Sequence, residues 1–143
     1  MSGKSATFEN DILKLIFNGT AVANVADNAA TGALTNLYVS LHTADPTDAG
    51  NQTSNETNYT SYARVAVERT SGGWTVSANS VSPTATISFP ACTGGTSTIT
   101  HWAVGTTSSS TGKILYSGTV TPSISVSNGV TPQLLTSSTI TEG

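Results

Sequence analysis

The stretch His42-Thr43-Ala44-Asp45-Pro46-Thr47-Asp48, with Asn51 and Glu56 a few residues on, holds the densest set of side chains able to do chemistry. Two carboxylates joined by amide and backbone oxygens are a Ca²⁺-type donor set, because that ion accepts about six to eight oxygens in flexible geometry. The spacing is not that of an EF-hand, however, and Asp-Pro more often opens a turn whose carboxylate takes a backbone N–H two residues on. A turn is therefore expected here, and no metal. His42 and His101 fall in strand-like runs and Cys92 follows Pro90-Ala91. Zinc needs three or four ligands at a recognisable spacing, and these residues have none. Hydrolysis needs a nucleophile, a base and an orienting acid in one pocket, and no G-x-S-x-G turn occurs. Paired carboxylates for glycoside chemistry would have to join Asp45 or Asp48 to Glu56 or Glu68. With only 8 acidic residues, most in turns or at strand ends, chance spacing explains them better. Cys92 has no basic neighbour in sequence to activate it and reads as a small buried apolar residue. No Gly-rich strand-to-helix turn offers a phosphate cradle. The expectation is no catalytic site and no cofactor.

The composition bounds the partners. Charged residues are 9% of the chain, against about a quarter in ordinary soluble domains, and Ser and Thr, about a third of all residues, take their place. Thr suits a pleated surface, since its β-branch favours strand and its hydroxyl is satisfied by water. The net charge is -3, and the five cations, Lys4, Lys14, Arg64, Arg69 and Lys113, are scattered. Nucleic acid binding requires clustered cations to displace phosphate counterions, so no nucleic-acid partner is expected. A single cysteine excludes an intramolecular disulfide. Residues Met1 to Asp11 lack the apolar core of a secretory signal, and no run approaches the ~18 apolar residues of a membrane span. No membrane partner is expected either. A length of 143 residues suits one domain with a sizeable core.

The elements that would position these residues are strands, preceded by one helix. From Ser5 to Phe17 apolar residues fall at Phe8, Ile12, Leu15 and Ile16, the stripe of a helix with one apolar face. Ser5 or Thr7 can cap its start and Asn18-Gly19 its end. Residues 20–35 read as a loop or extended arm. From residue 37 the pattern alternates. Leu37-Val39-Leu41 oppose Tyr38-Ser40-His42, and Ala63-Val65-Val67 oppose Tyr62, Arg64 and Glu68. Trp74-Val76-Ala78, Ala85-Ile87-Phe89, Ile99-His101-Ala103 against Trp102-Val104, and Ile114-Tyr116 follow, with closing strands around Ser123–Val126 and Leu134–Thr141. Gly, Pro, Asn and Ser punctuate these runs. The reading is an all-β, antiparallel β-sandwich, a jelly roll being one form of it, with a short N-terminal α-helix: residues 1–36 as helix and arm, 37–143 as the sandwich. The polar connection Asp45–Tyr59 is long enough to be either functional or mobile.

Tyr and Trp on a sheet face could stack on sugar rings or anchor a protein interface. Core packing is expected for Trp74, whereas Tyr38 and Trp102 are expected on a face that meets a partner. The expected contact residues are Phe8, Ile12, Leu15 and Ile16 of the helix, Asp45, Asp48 and Tyr59 of the connection, and Tyr38 and Trp102 of the sheet.

The run Leu37-Tyr38-Val39-Ser40-Leu41-His42-Thr43-Ala44-Asp45-Pro46-Thr47-Asp48-Ala49-Gly50 resembles a segment of small phage proteins. The resemblance continues through Asn55-Glu56, Tyr62-Ala63-Arg64-Val65, Trp74, Ile87-Ser88-Phe89-Pro90, Ile99-Thr100-His101-Trp102-Ala103-Val104 and Ile114-Leu115-Tyr116-Ser117-Gly118. It covers roughly residues 36–141 and is to the phage tail-fibre-like proteins, small sandwiches of the kind that also decorate or cement capsids. The resemblance implies a structural virion protein, made in the host cytoplasm, with no catalytic motif to carry over. No long shaft or repeat is evident, so a cement role on the capsid exterior is favoured. Its partners would be the major capsid protein and copies of the chain itself, as homodimer or homotrimer. The alternative is a receptor- or carbohydrate-binding module of the tail.

Overall fold

The computed structural model describes residues 4–29 and 32–143. Among the described residues one helix, α1 (Ala6–Asn18), precedes nine strands: β1 (Asn36–His42), β2 (Val65–Glu68), β3 (Trp74–Ser77), β4 (Ser80–Pro83), β5 (Ile87–Ser88), β6 (Ser97–Gly105), β7 (Ile114–Val126), β8 (Gln133–Leu134) and β9 (Ile140–Thr141). The fold is all-β and sandwich-like, its sheets antiparallel, with one short N-terminal helix. The described strands form sheets ordered β2-β1-β6-β7, β3-β4-β9 and β5-β8. Four, three and two strands replace the paired four-stranded sheets of a jelly roll. The chain divides into two compact units, Met1–Asn36 with Val67–Thr86 and Leu135–Gly143, and Leu37–Ala66 with Ile87–Leu134. The sequence boundary at residue 36 is thus one crossing between units, and residues 67–86 and 135–143 fall with the N-terminal segment.

In the first unit α1 packs on β3 and β4. Ser5 caps the helix by accepting the Phe8 N–H at 3.4 Å, and Gly19, at φ 65°, turns the chain out of it. The buried helix residues are Glu9, Leu13 and Phe17, spaced four apart on one face. The stripe Phe8, Ile12, Leu15 and Ile16 read from the sequence is the neighbouring face: Phe8 is 40% exposed and the other three are half-buried. The helix is apolar over both faces, so periodicity alone does not choose between them. Trp74 chooses: its ring meets Phe17 edge-on at 4.9 Å, and fully burying each such side chain is worth about 1.5–3 kcal/mol. β3 and β4 form a hairpin in register Trp74↔Pro83 to Ser77↔Ser80, turned by Ala78 at φ 52°. Its second strand, Ser-Val-Ser-Pro, lies between runs that the sequence marks as strands and is held as strand by partners on both sides, β3 and β9.

In the second unit β1 pairs antiparallel with β6, and β6 with β7. The pairs Val39↔Val104 and Leu41↔Trp102 place Leu37, Val39, Leu41, Trp102 and Val104 on one face, and all five are buried. The pairs Tyr38↔Gly105, Ser40↔Ala103 and His42↔His101 form the other face. Ser40 and His42 there are buried too, because the connection after β1 folds back over them. Runs expected as separate strands at Ile114 and Ser123 are one strand, β7, whose pairing with β6 shifts between Ile99/His101 and Val104/Gly105. The single run expected over Leu134–Thr141 is instead split into β8 and β9.

Candidate functional site

The polar side chains singled out for chemistry converge under the segment that follows β1. The chain returns antiparallel to β1, with the Thr43 N–H donating to Asn55 O at 2.8 Å and the Thr57 N–H to Leu41 O at 3.0 Å. This brings Ser54, Glu56 and Gln52 over the Ser40–His42 face. His42 is sealed from solvent. Its Nδ1 lies 2.8 Å from the Ser54 carbonyl, which can only accept, so Nδ1 carries the proton and Nε2 takes the Ser40 hydroxyl at 2.9 Å. Burial holds the His42 pKa below its ordinary 6.5, with Arg64 and His101 pushing the same way and the Ser54 carbonyl and Glu56 opposing. The Ser–His spacing is that of a nucleophile and its base, yet both side chains are buried completely, and the pair as it stands ties the connection to the strand.

Beside it lies an ion pair. Arg64 Nε and Nη2 donate to the two oxygens of Glu56 at 2.7 and 2.8 Å, the planar fork geometry that makes arginine–carboxylate pairs strong. The remaining guanidinium donors reach the Thr107 carbonyl at 3.0 Å and the Ser110 carbonyl at 2.8 Å. The hydrogen bonds to Glu56 hold the Arg64 pKa above its usual value. Tyr62 donates its hydroxyl to Glu56 at 2.8 Å while accepting the Leu41 N–H at 3.1 Å. Burial raises its pKa. Gln52, fully buried, bridges the Tyr38 carbonyl and the Thr107 N–H at 3.3 and 3.0 Å. It fits only because Gly105 and Gly112 lack a side chain: a Cβ on either would meet the Gln52 amide at 2.1 Å. The connection expected to be functional or mobile is thus pinned along its length by backbone, ion pair and buried amide.

The residues expected at an interface scatter. Asp45 makes the expected turn, its carboxylate accepting the Thr47 N–H at 2.8 Å, and leaves Thr47 at φ 64°, an uncommon conformation for a β-branched residue. Asp45 and Asp48 are exposed. Asp48 stands with Thr47 and Gly50 on the rim of a cleft of about 330 Å³ whose other wall is Ile114–Ser117. Tyr38 is half-buried. Tyr59 and Trp102 are corrections: at 3% and 5% exposed they belong to the core, Tyr59 donating its hydroxyl to Pro90 O at 2.8 Å. Trp102 lies on the Leu41 face and Tyr38 on the His42 face, so the two do not share a surface. His42 and His101 are cross-strand neighbours. Among the described residues no group of three or more His, Cys, Asp or Glu is placed to hold a metal, and no helix is long and apolar enough to cross a membrane.

Sequence reasoning missed the Glu56–Arg64–Tyr62 cluster and the role of Gln52. Tyr62 and Arg64 do alternate on one side of their run, which was a visible signal. The return of residues 52–57 against them was not.

No curated protein matches the chain. A family model does, that of the podophage GP4 fiber I protein gp80, over residues 3–141. The match takes in the helix, every strand and the pinned connection, and the chain belongs to this family of phage fibre proteins, structural components of the virion.

Proposed function

We propose that the chain is a non-catalytic fibre subunit of a tailed phage, working by binding neighbouring subunits of the particle. The observation that carries this is the family match over residues 3–141. The side-chain chemistry agrees. Both nitrogens of His42 and both oxygens of Glu56 are engaged in holding the connection after β1, where a catalytic group would be turned towards a cleft. The helix face of Phe8, Ile12, Leu15 and Ile16, with Phe8 40% exposed and the other three half-buried, is the surface we assign to a neighbouring virion subunit.

A second placement is the capsid exterior, where the chain would bridge capsomers against the major capsid protein. It is favoured by the lack of any internal repeat or shaft-forming segment in the sequence. Copy number separates the two. Purified virions run on a gel, with the band quantified against the major capsid protein, should give a small number of copies per particle for a tail fibre. A ratio that is a simple fraction of the capsid subunit would transfer the chain to the head. Absence from the particle would sink both placements.

A further inference from the structure

We propose that residues 43–57 form an acid-released strap, closed over β1 at neutral pH and freed when the His42 imidazole takes up a second proton. The segment is fastened to its surroundings and is not part of a sheet. Its ladder contact with β1 is the isolated bridge His42↔Glu56. Its backbone donates outward from the Gln52 N–H to Gly112 O at 2.9 Å and from the Thr57 N–H to Leu41 O at 3.0 Å. Within it Thr47 and Asn55 stand at φ 64° and 56°, a left-handed conformation that a β-branched residue keeps only while its surroundings hold it. Segments with few ladder bonds and a strained backbone are the parts of a fold that open first.

His42 is the strut between this strap and the strand beneath. Its Nδ1–H donates to the Ser54 carbonyl, on the strap, and its Nε2 takes the Ser40 hydroxyl, on β1. A second proton has to go on Nε2. The Ser40 hydroxyl would then turn from donor to acceptor, and a cation would be sealed away from water. The charged and titratable groups around the ring are Glu56 on the strap, Tyr62 and Arg64 just beyond it, and His101 opposite on β6. Among these side chains Glu56 alone favours the proton, and its two oxygens already take Arg64 and the Tyr62 hydroxyl. Arg64 and His101 oppose the proton, and burial opposes it most.

Lifting the strap takes away the Ser54 contact and the cover together. The imidazole then meets water and titrates near its ordinary 6.5. Well above that value closed and lifted forms are both neutral at His42, so closure is indifferent to pH. Below it the lifted form binds a proton that the closed form refuses, and acid shifts the balance towards lifting. Release reaches the molecular surface. It carries away Thr47, Asp48 and Gly50, which form one wall of the cleft against Ile114–Ser117, and it uncovers Ser40.

The test is amide hydrogen exchange on the full chain, corrected for the intrinsic dependence on pH, read at the Gln52 and Thr57 amides. Their opening should rise by up to about tenfold between about pH 7.5 and about pH 5.5, the ratio in which a group titrating near 6.5 gains its proton over that range. At both pH values they should open more readily than the amides of the β1–β6 ladder. His42→Gln should abolish the rise and His101→Gln should keep it. No rise, a rise that survives His42→Gln, or strap amides that exchange only as fast as the ladder would overturn the proposal. Nitrogen NMR of the imidazole in the parent chain serves if His42→Gln does not fold. It should show the closed form protonated on Nδ1 alone at the acid pH, and a closed form carrying both protons there would sink the switch.

Discussion

Among single residues, the Glu56–Arg64 pair and His42 carry the most consequence. The Arg64 side chain is only 3% exposed and that of Glu56 15%, so neutralising one partner strands the other's charge where water cannot solvate it. Glu56→Gln is expected to cost about 2–4 kcal/mol, seen as a lower urea midpoint with an unchanged slope. His42 gives the pH dependence its sign. Its pKa is held below 6.5 by burial, so folded and unfolded chains are alike neutral at His42 well above that pH. As the pH falls below 6.5 the unfolded chain takes up a proton that the folded imidazole refuses, and stability declines until the pH passes the folded pKa. The thermal midpoint should therefore drop on acidification through this window, and His42→Gln should flatten that drop while lowering the midpoint at neutral pH.

Elements show how small residues and apolar faces fix the arrangement. Gly105→Ala in β6 would drive a methyl group into the Gln52 amide, displacing it from Thr107 and Tyr38. The expected cost is about 1–3 kcal/mol, and limited proteolysis should begin to cut within residues 43–57. In α1 the two apolar faces make opposite predictions. Phe17→Ala removes the partner of Trp74 and should cost about 3–5 kcal/mol, while Phe8→Ala, on the half-exposed face, should cost less than about 1 kcal/mol by the same unfolding measurement. Arg69 explains why the helix ends where it does. Its guanidinium takes the carbonyls of Leu15 and Ile16 at 2.8 and 2.6 Å, a cation set on carbonyls that a helix C-terminus leaves without intrahelical partners.

For the whole molecule, the unit containing α1 is assembled from three stretches remote in sequence. Its last stretch contributes β9, paired to β4 through Ser80↔Thr141 and Val81↔Ile140, and Glu142, which meets Lys4 and accepts through its carbonyl from Asn79. A chain truncated after Leu134 is expected to lose protection from hydrogen exchange in α1, β3 and β4 first, and to retain it longest in β1 and β6. Equal loss throughout would show that the two units unfold as one.

What the sequence determined by itself was whatever depends on near neighbours. The helix and its Gly19 cap, the alternation of β1 and β6, the Asp45 turn and the family resemblance all rest on patterns a few residues long or on residues in order. The tertiary structure decided what depends on partners far along the chain. Which apolar face of α1 is buried was settled by Trp74. Ser-Val-Ser-Pro became strand β4 because β3 and β9 flank it, and Tyr59 and Trp102 went inward because the residues beside them in space are apolar. The connection after β1 became a fixed cover because Arg64, Gly105 and Gly112 were there to receive Glu56 and Gln52. Periodicity records that a residue has a side to bury, and only the packed chain supplies what it is buried against.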